Sequence, residues 1–351
     1  MIELTKGNLL KAPAEALVNT VNTAGVMGKG IALQFKQAYP AMFRDYERAC
    51  KAGEVKLGHV SVFDLGALAG GPRWIINFPT KAHWRATSRL SDIEHGLVDL
   101  VRTIKDLNIR SIAVPPLGCG NGGLNWGEVR PRIVNALSGL GDVRVLLYEP
   151  DGAPRAEQMP NRTERPRMTI GRAALIGLMD RYLKGFLDPI VTLLEIHKLM
   201  YFLQEANEPL QLKFHQGKFG PYASNLRQVL IRLEQHYTSG YGDGADDPDK
   251  PMELLPGAVD EAQAMLRKSA DTLARIERVV ALIQGYEDPY GMELLSSVHW
   301  MMKNRPETRD NCTLAVEAVH DWNDRKRKSL KAEHISTAWR HLKERGWDKF
   351  H

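Results

Sequence analysis

The sequence predicts an α/β protein: a three-layer α/β/α domain with a mixed sheet, followed by a mainly α-helical second domain. Two observations predict this class. Residues 1–150 alternate short strand candidates with amphipathic helix candidates, whereas residues 168–351 show almost only helical spacing of apolar residues. Between them, residues 151–167 carry three prolines and few apolar side chains, a composition typical of a linker. The predicted domains are therefore 1–150 and 168–351.

The first domain contains six strand candidates and three helix candidates. The strands are predicted at 2–5, 16–21, 59–65, 74–78, 111–115 and 143–148, and the helices at 31–52, 91–107 and 126–140. The last two strands are largely apolar, as expected where helices cover both faces of a sheet. Ser91 and Glu94 have the spacing of a capping box at the start of the second helix.

The second domain is predicted to consist of seven helices. They lie at 172–187, 189–207, 222–236, 258–284, 291–303, 314–328 and 332–345, with one extended segment at 210–215. Gly220 and Pro221 predict a turn that starts a helix at Tyr222. The basic run 325–331 is expected to lie on a solvated helix face, with binding of DNA or of a partner as the alternative.

Composition and charge narrow the class of protein. No apolar run approaches the ~20 residues that a membrane span needs, and the acidic start of the chain is unlike an export signal. The three cysteines are too few and too scattered for a disulfide framework or a zinc site. We therefore expect a cytoplasmic protein with no membrane partner and no metal. Residues 1–155 hold 19 Lys and Arg against 14 Asp and Glu, so the excess positive charge lies with the first domain.

A glycine loop follows the second predicted strand and leads into a helix. Gly25, Gly28 and Gly30 stand within six residues, directly before the helical run. Bare backbone N–H groups at the start of a helix favour an anion, usually a phosphate. Asn19 and Asn22 at the strand end can hold sugar hydroxyls, because an amide both donates and accepts hydrogen bonds. The alternative, a loop-capping asparagine, explains one of them better than both.

A second glycine loop follows the fifth predicted strand. It carries four glycines within residues 116–124. Two such loops at strand ends can grip a diphosphate from both sides, so the first domain is predicted to hold a nucleotide-sugar site. The spacing of the first loop matches neither the dinucleotide fingerprint GxGxxG nor a P-loop.

Five motifs in residues 1–150 follow one another in a specific order. They are Lys6-Gly7-Asn8-Leu9-Leu10, Val18-Asn19-Thr20-Val21-Asn22, Gly28-Lys29-Gly30-Ile31-Ala32, Asn77-Phe78-Pro79-Thr80-Lys81 and the run 116–126. With them the domain resembles a macrodomain, the ADP-ribose-binding α/β/α module. The pair Thr80 and Lys81, before the arginine-bearing segment 83–85, resembles the branch of terminal ADP-ribose glycohydrolases that includes the DarG-type DNA-acting antitoxins.

The resemblance assigns a role to each part of the site. It implies that Asn8 and Leu9 contact the adenine, that Asn22 contacts the distal ribose at the catalytic centre, and that Lys81 is the catalytic residue. The other positions expected to bind ADP-ribose are Asn19, Gly28, Lys29, Gly30, Ile31, Thr80, Pro116, Gly118, Cys119, Gly120, Asn121, Gly122, Gly123 and Leu124. A lysine near the anomeric carbon can act as a nucleophile if its pKa is lowered. No cofactor is implied.

One departure from the family pattern leaves a step of the reaction open. Some relatives carry an acidic residue in the second loop that resolves a covalent intermediate, whereas residues 121–123 read Asn-Gly-Gly. The second catalytic step therefore has no assigned residue.

The helical domain has a resemblance of its own. Lys198 and Tyr201 on one predicted helix precede the run Gly220-Pro221-Tyr222, and this combination resembles the SocA-like antitoxin domain. It implies a surface that binds a cognate toxin, here a DarT-type ADP-ribosyltransferase. Together the two domains imply an antitoxin that removes ADP-ribose from bases, thymidine above all, of single-stranded DNA. Two alternatives stay open: a non-catalytic ADP-ribose reader, and a glycohydrolase acting on modified protein carboxylates.

Overall fold

The computed structural model describes residues 1–66, 71–184 and 190–349. They form two compact units, one comprising Met1–Glu164 with Gly242–Ala245 and the other Arg165–Tyr241 with Asp246–His351. The strands of the first unit are β1 Ile2–Thr5, β2 Ala16–Asn22, β3 Ser61–Asp64, β4 Trp74–Lys81, β5 Ser111–Val114 and β6 Arg144–Tyr148. Its helices are α1 Gly30–Ala38, α2 Pro40–Lys51, α3 Leu90–Asp106 and α4 Trp126–Leu137. The predicted domain bounds 1–150, 151–167 and 168–351 stay predictions.

One six-stranded sheet forms the middle layer of the first unit. Its order is β1-β6-β5-β2-β4-β3, and every neighbouring pair is parallel except β3 with β4. Successive residues of a strand face opposite sides. Val18 therefore packs with Leu97 of α3 on one face, while Leu17 packs with Phe35 of α1 on the other. The predicted three-layer class with a mixed sheet is confirmed.

Two local predictions for the first unit are wrong. The helix at 31–52 is two helices, because Pro40 lacks an N–H and starts α2 instead of continuing α1. The capping box does not form, since α3 begins at Leu90 and places Ser91 inside its first turn. Glu94 instead accepts a hydrogen bond from Arg132 Nε at 2.6 Å.

The second unit is mainly helical, as predicted. Its helices are α5 Ile170–Lys184, α6 Leu193–Glu205, α7 Leu226–Leu233, α8 Ala258–Leu266, α9 Ala270–Ile283, α10 Pro289–Asn304, α11 Cys312–His320, α12 Asp324–Ser329 and α13 Ala332–Glu344. Short strands are β7 Val191–Thr192, β8 Phe214–Gly217, β9 Gly220–Ala223, β10 Thr238–Ser239 and β11 Pro251–Leu254. The predicted helix end at 187 and helix start at 189 lie outside the described residues.

The predicted helix start at Tyr222 is wrong. Tyr222 lies in β9 and pairs with His215 of β8 in an antiparallel hairpin. Lys198 Nζ donates to the Pro221 carbonyl at 2.8 Å, so a tertiary contact holds this backbone extended and overrides the local turn signal. The helices predicted at 258–284 and 314–328 are each divided into two. Within the described ranges, no helix is long and apolar enough to cross a membrane.

Candidate active site

Lys81 and Asn22 lie side by side at the carboxyl ends of two parallel strands. The register between β2 and β4 shifts after Val21, so that Asn22 pairs with Lys81 and Thr80 is the extra residue. Thr80 is buried, and its Oγ1 donates to the Val21 carbonyl at 3.3 Å. Such an irregularity turns the side chains that follow it. The structure thus brings the two predicted catalytic residues together.

The Lys81 ammonium reaches across to the second glycine loop. Its Nζ donates to the Asn121 carbonyl at 2.7 Å. Partial burial lowers the pKa of Lys81 below its usual value. Among the residues described, no carboxylate lies within ion-pair distance of this nitrogen. Burial therefore disfavours the charged form without a compensating anion, and this increases the fraction of neutral, nucleophilic amine.

The Asn22 side chain holds the first glycine loop through hydrogen bonds to its main chain. Its Oδ1 accepts hydrogen bonds from the Ala24 and Val26 amides at 3.0 and 3.3 Å, and its Nδ2 donates to the Val26 carbonyl at 2.6 Å. The Tyr46 hydroxyl donates to the main-chain carbonyl of Asn22. Sequence reasoning missed Tyr46, which lies on α2 and carries no local signal of this contact.

The first glycine loop ends at α1, where a phosphate is expected. Gly25 and Gly30 adopt the left-handed region, with φ of 77° and 61°, and α1 begins at Gly30. The Gly30 N–H donates to the carbonyl of Asp243 at 2.8 Å, within the same compact unit. One expected phosphate donor is therefore already hydrogen-bonded to a peptide carbonyl. Sequence reasoning did not find Asp243.

The second glycine loop is a tight, internally hydrogen-bonded turn. The Leu124 amide donates to the Gly118 carbonyl at 3.1 Å, and the Gly123 amide donates to the Gly120 carbonyl at 3.0 Å. A Cβ on Gly122 would overlap the Gly118 carbonyl and Ser88 Oγ, so the close approach requires glycine. Ser88, missed by sequence reasoning, anchors the loop through its amide, which donates to the Gly122 carbonyl at 2.9 Å.

The two glycine loops meet at Asn121. A Cβ on Gly30 would lie 3.1 Å from Asn121 Nδ2, and the Asn121 carbonyl accepts from Lys81. The predicted phosphate loops and the predicted catalytic lysine therefore surround one small region of the first unit.

The remaining predicted residues occupy different positions. Asn8 follows β1, where its Oδ1 accepts from the Leu10 amide at 3.0 Å and its Nδ2 donates to the Gln158 carbonyl at 2.8 Å, while Leu9 is buried. Asn19 is fully buried, and its Nδ2 donates to Asn77 Oδ1 at 3.0 Å. A contact of Asn19 with a sugar hydroxyl stays a prediction, and its interior position favours a structural role.

The second glycine loop also carries a thiol, that of Cys119. Burial raises the pKa of its thiol to about 11, and Sγ donates to the Leu117 carbonyl at 3.5 Å. The thiol is therefore protonated at neutral pH, whereas a nucleophilic cysteine needs the thiolate.

The fold and the two joined glycine loops define a macrodomain, and residues 18–133 match the family model of the Macro domain. A DNA ADP-ribosyl glycohydrolase of Thermus aquaticus is 46% identical over 346 residues, which cover 99% of this chain and 94% of that protein. The chain belongs to the family of DNA ADP-ribosyl glycohydrolases. Its predicted class, a hydrolase, is thereby confirmed, and the alternative of a non-catalytic reader is set aside.

Two further similarities concern parts of the chain. The solved macrodomain of Mycobacterium tuberculosis DarG is 60% identical and covers 43% of this chain and 99% of its own, with a TM-score of 0.42. A DNA ADP-ribosyl transferase–DNA ADP-ribosyl glycohydrolase fusion protein of Thermosipho africanus is 35% identical over 163 residues, or 42% of each chain.

Proposed function

We propose that the first unit removes ADP-ribose from thymidine in single-stranded DNA, with Lys81 as the catalytic residue. The observation that carries this proposal is the order of the site along the sheet. Asn8 follows β1, the second glycine loop follows β5, Asn22 ends β2 and Lys81 ends β4, in the lateral order of the strands. All of them lie at the carboxyl edge of the parallel strands, where ligands of open α/β sheets bind.

This order matches the order of groups in ADP-ribose. An adenine near β1, a diphosphate at the two glycine loops and a distal ribose at Asn22 would bring the anomeric carbon to Lys81. From β1 to β4 there are four strand spacings, or roughly 19 Å. A linear nucleotide sugar can span such an edge. The names of the relatives support the DNA substrate, the resemblance to DarG-type antitoxins supports thymidine as its base, and the geometry supports the sugar end of the proposal.

The proposed first step uses the neutral amine of Lys81. Its nitrogen lone pair forms a bond to the anomeric carbon, while the bond from that carbon to the base nitrogen breaks and the base leaves with the electron pair. The proton released by the amine passes to the departing base or to solvent. A water oxygen then forms a bond to the anomeric carbon while the bond from that carbon to the Lys81 nitrogen breaks. A proton from this water passes to the nitrogen, so that ADP-ribose is released and the amine is restored. Residues 121–123 supply no carboxylate for that second step.

The test compares three variants on a single-stranded oligonucleotide carrying one ADP-ribosylated thymidine. We expect Lys81→Ala to slow release of ADP-ribose on the order of 10³-fold, because the nucleophile is lost. Lys81→Arg should be as slow, since guanidinium keeps the charge without becoming a nucleophile. Lys51→Ala, on the exposed side of α2, is the matched control and should keep the wild-type rate.

Two results would contradict this function. Release from the oligonucleotide by Lys81→Ala at the wild-type rate would remove the lysine from the reaction. Faster release from ADP-ribosylated glutamate or aspartate of a protein than from DNA would favour the alternative substrate. The glycosylamine adduct can open its ribose ring to an imine between C1 and the Lys81 nitrogen, and borohydride reduces this imine to a stable secondary amine. Trapping of that adduct at Lys81, located by mass spectrometry, would support nucleophilic attack directly.

We also propose that the second unit, predicted as domain 168–351, binds a DarT-type ADP-ribosyltransferase in the cytoplasm. The Thermosipho africanus relative supports this partner, because its name joins the transferase and the glycohydrolase in one chain. The SocA-like run that includes Lys198 and residues 220–222 supports it independently. The full chain carrying Lys81→Ala should still co-purify with such a transferase and inhibit it. Loss of that inhibition together with the hydrolytic activity would contradict direct binding.

A further inference from the structure

The segment that follows Lys81 is a turn fixed at both ends to the active site. Thr23, next to Asn22, donates from its Oγ1 to the Ala82 carbonyl at 2.9 Å. At the other end, the Ser88 amide donates to the Gly122 carbonyl at 2.9 Å. The turn therefore joins the first loop to the second and passes beside the catalytic lysine.

Trp84 is at the tip of this turn and is 45% exposed. The Arg85 guanidinium carbon lies 4.4 Å from its ring, and the His83 ring lies 5.3 Å away with a tilt of 33°. His83 and Arg85 are themselves exposed. Three planar groups thus present a preformed stack at the surface, although tryptophan is normally well buried.

The surroundings of Trp84 favour a polyanion. Residues 81–91 contain Lys81, Arg85 and Arg89 and no acidic residue. Proteins that bind single-stranded nucleic acid combine such a basic surface with aromatic side chains on which bases stack. Arginine adds a cation–π contribution on the same face.

We propose that Trp84, supported by Arg85, stacks on a base next to the modified nucleotide of single-stranded DNA. This inference rests on the proposed function. Trp84 is three positions after Lys81, so their Cα atoms are at most about 11 Å apart. A nucleotide adjacent to the one held at Lys81 falls within that reach. Trp84 makes no contact with the reacting atoms and acts as a specificity residue that favours a strand over an isolated nucleoside.

The experiment compares two substrates: a single-stranded oligonucleotide with one ADP-ribosylated thymidine, and the ADP-ribosylated thymidine nucleoside alone. The measured quantity is the ratio of their kcat/KM values. We expect Trp84→Ala to lower this ratio by about 10- to 100-fold, mainly through a higher KM for the oligonucleotide, as loss of one stacked base predicts. Trp84→Phe should restore most of the ratio, because it keeps an aromatic face.

Arg73 provides a matched control. Its guanidinium lies 4.4 Å from the Trp74 ring at the other end of β4, so Arg73→Ala removes the same kind of contact away from Lys81. Its ratio should equal that of the wild type. An unchanged ratio in Trp84→Ala, or an equal fall in Arg73→Ala, would overturn the inference while leaving the proposed function intact. If the wild-type chain releases ADP-ribose from neither substrate, the proposed function is wrong and the inference falls with it.

Discussion

Each of the two units contains a lysine with a lowered pKa, and the two lysines differ in how far they are exposed to solvent. Lys81 is half-buried beside two glycine loops, and its Nζ contacts one main-chain carbonyl. Lys198 is completely buried in α6, where burial lowers its pKa to about 7. Its Nζ also donates to a main-chain carbonyl, that of Pro221. We infer from this pair that a lowered pKa points to a reactive lysine only where a substrate can reach it, which supports Lys81 as the proposed catalytic residue.

Lys198 lies near a second buried lysine, Lys326, whose charge adds to the effect of burial in lowering the pKa of Lys198. Lys326 is also fully buried, and its Nζ donates to Glu293 Oε1 at 2.6 Å and to Ser297 Oγ at 2.8 Å. Arg325 donates to the same Glu293 oxygen at 2.6 Å. A single buried carboxylate thus pairs with two cations. These side chains join α10 and α12.

The largest effect expected in this cluster comes from Glu293. Glu293→Gln removes the only carboxylate hydrogen-bonded to Lys326 among the described residues, and an uncompensated buried charge costs about 3 kcal/mol of the free energy of unfolding. Chemical denaturation should measure this loss, while release of ADP-ribose below the unfolding transition stays at the wild-type rate. Glu47→Gln, which breaks the exposed pair with Lys51, is the control and should cost less than about 0.5 kcal/mol. Equal effects of the two variants would contradict a buried structural cluster.

The second largest effect is expected in the pH dependence of the free energy of unfolding, which should distinguish Lys198 from Lys81. The folded pKa of Lys198 is about 7, below the usual 10.5, so between these values the unfolded chain binds more protons than the folded one. Stability contributed by this site therefore rises from about pH 7 towards pH 10.5, with a slope of up to about 1.4 kcal/mol per pH unit. Buried Lys326, whose pKa is also lowered, acts in the same direction. Lys198→Met should make the free energy of unfolding depend less on pH, whereas Lys81→Met should leave most of the pH dependence in place. Chemical denaturation at several pH values measures both, and the reverse result would contradict the comparison.

The smallest effect is expected at Cys119, which lies in the second glycine loop and whose thiol is protonated at neutral pH. Because the pKa of its thiol is about 11, Cys119→Ser should change the rate of ADP-ribose release by less than about twofold. Steady-state rates at pH 7.5 check this. A fall in rate comparable to that of Lys81→Ala would contradict this prediction and show that the Cys119 side chain is needed for the reaction.

The sequence was sufficient to predict the sheet and the two loops, because strand–loop–helix alternation and glycine spacing are local signals. Lys81 carries no such signal: the resemblance to macrodomains singled it out, and its catalytic role stays a prediction. It could not predict contacts made by residues far apart in the chain. Tyr46 and Ser88 support the loops through single hydrogen bonds that leave no pattern. The basic run 325–331 illustrates the same limit. Its sequence predicts a solvated face, but Lys326 is fully buried and paired with Glu293. Glu293 lies 33 positions earlier, so no local pattern indicates this pairing.

The hydrogen bond from Gly30 to Asp243 has a consequence for affinity. One N–H hydrogen cannot serve a peptide oxygen and a phosphate oxygen at full strength. A diphosphate bound at this helix start, as proposed above, would therefore compete with the segment Gly242–Ala245. Thermodynamic reciprocity then applies. If the contact of that segment lowers the affinity for the nucleotide by some factor, bound nucleotide weakens the contact of the segment by the same factor.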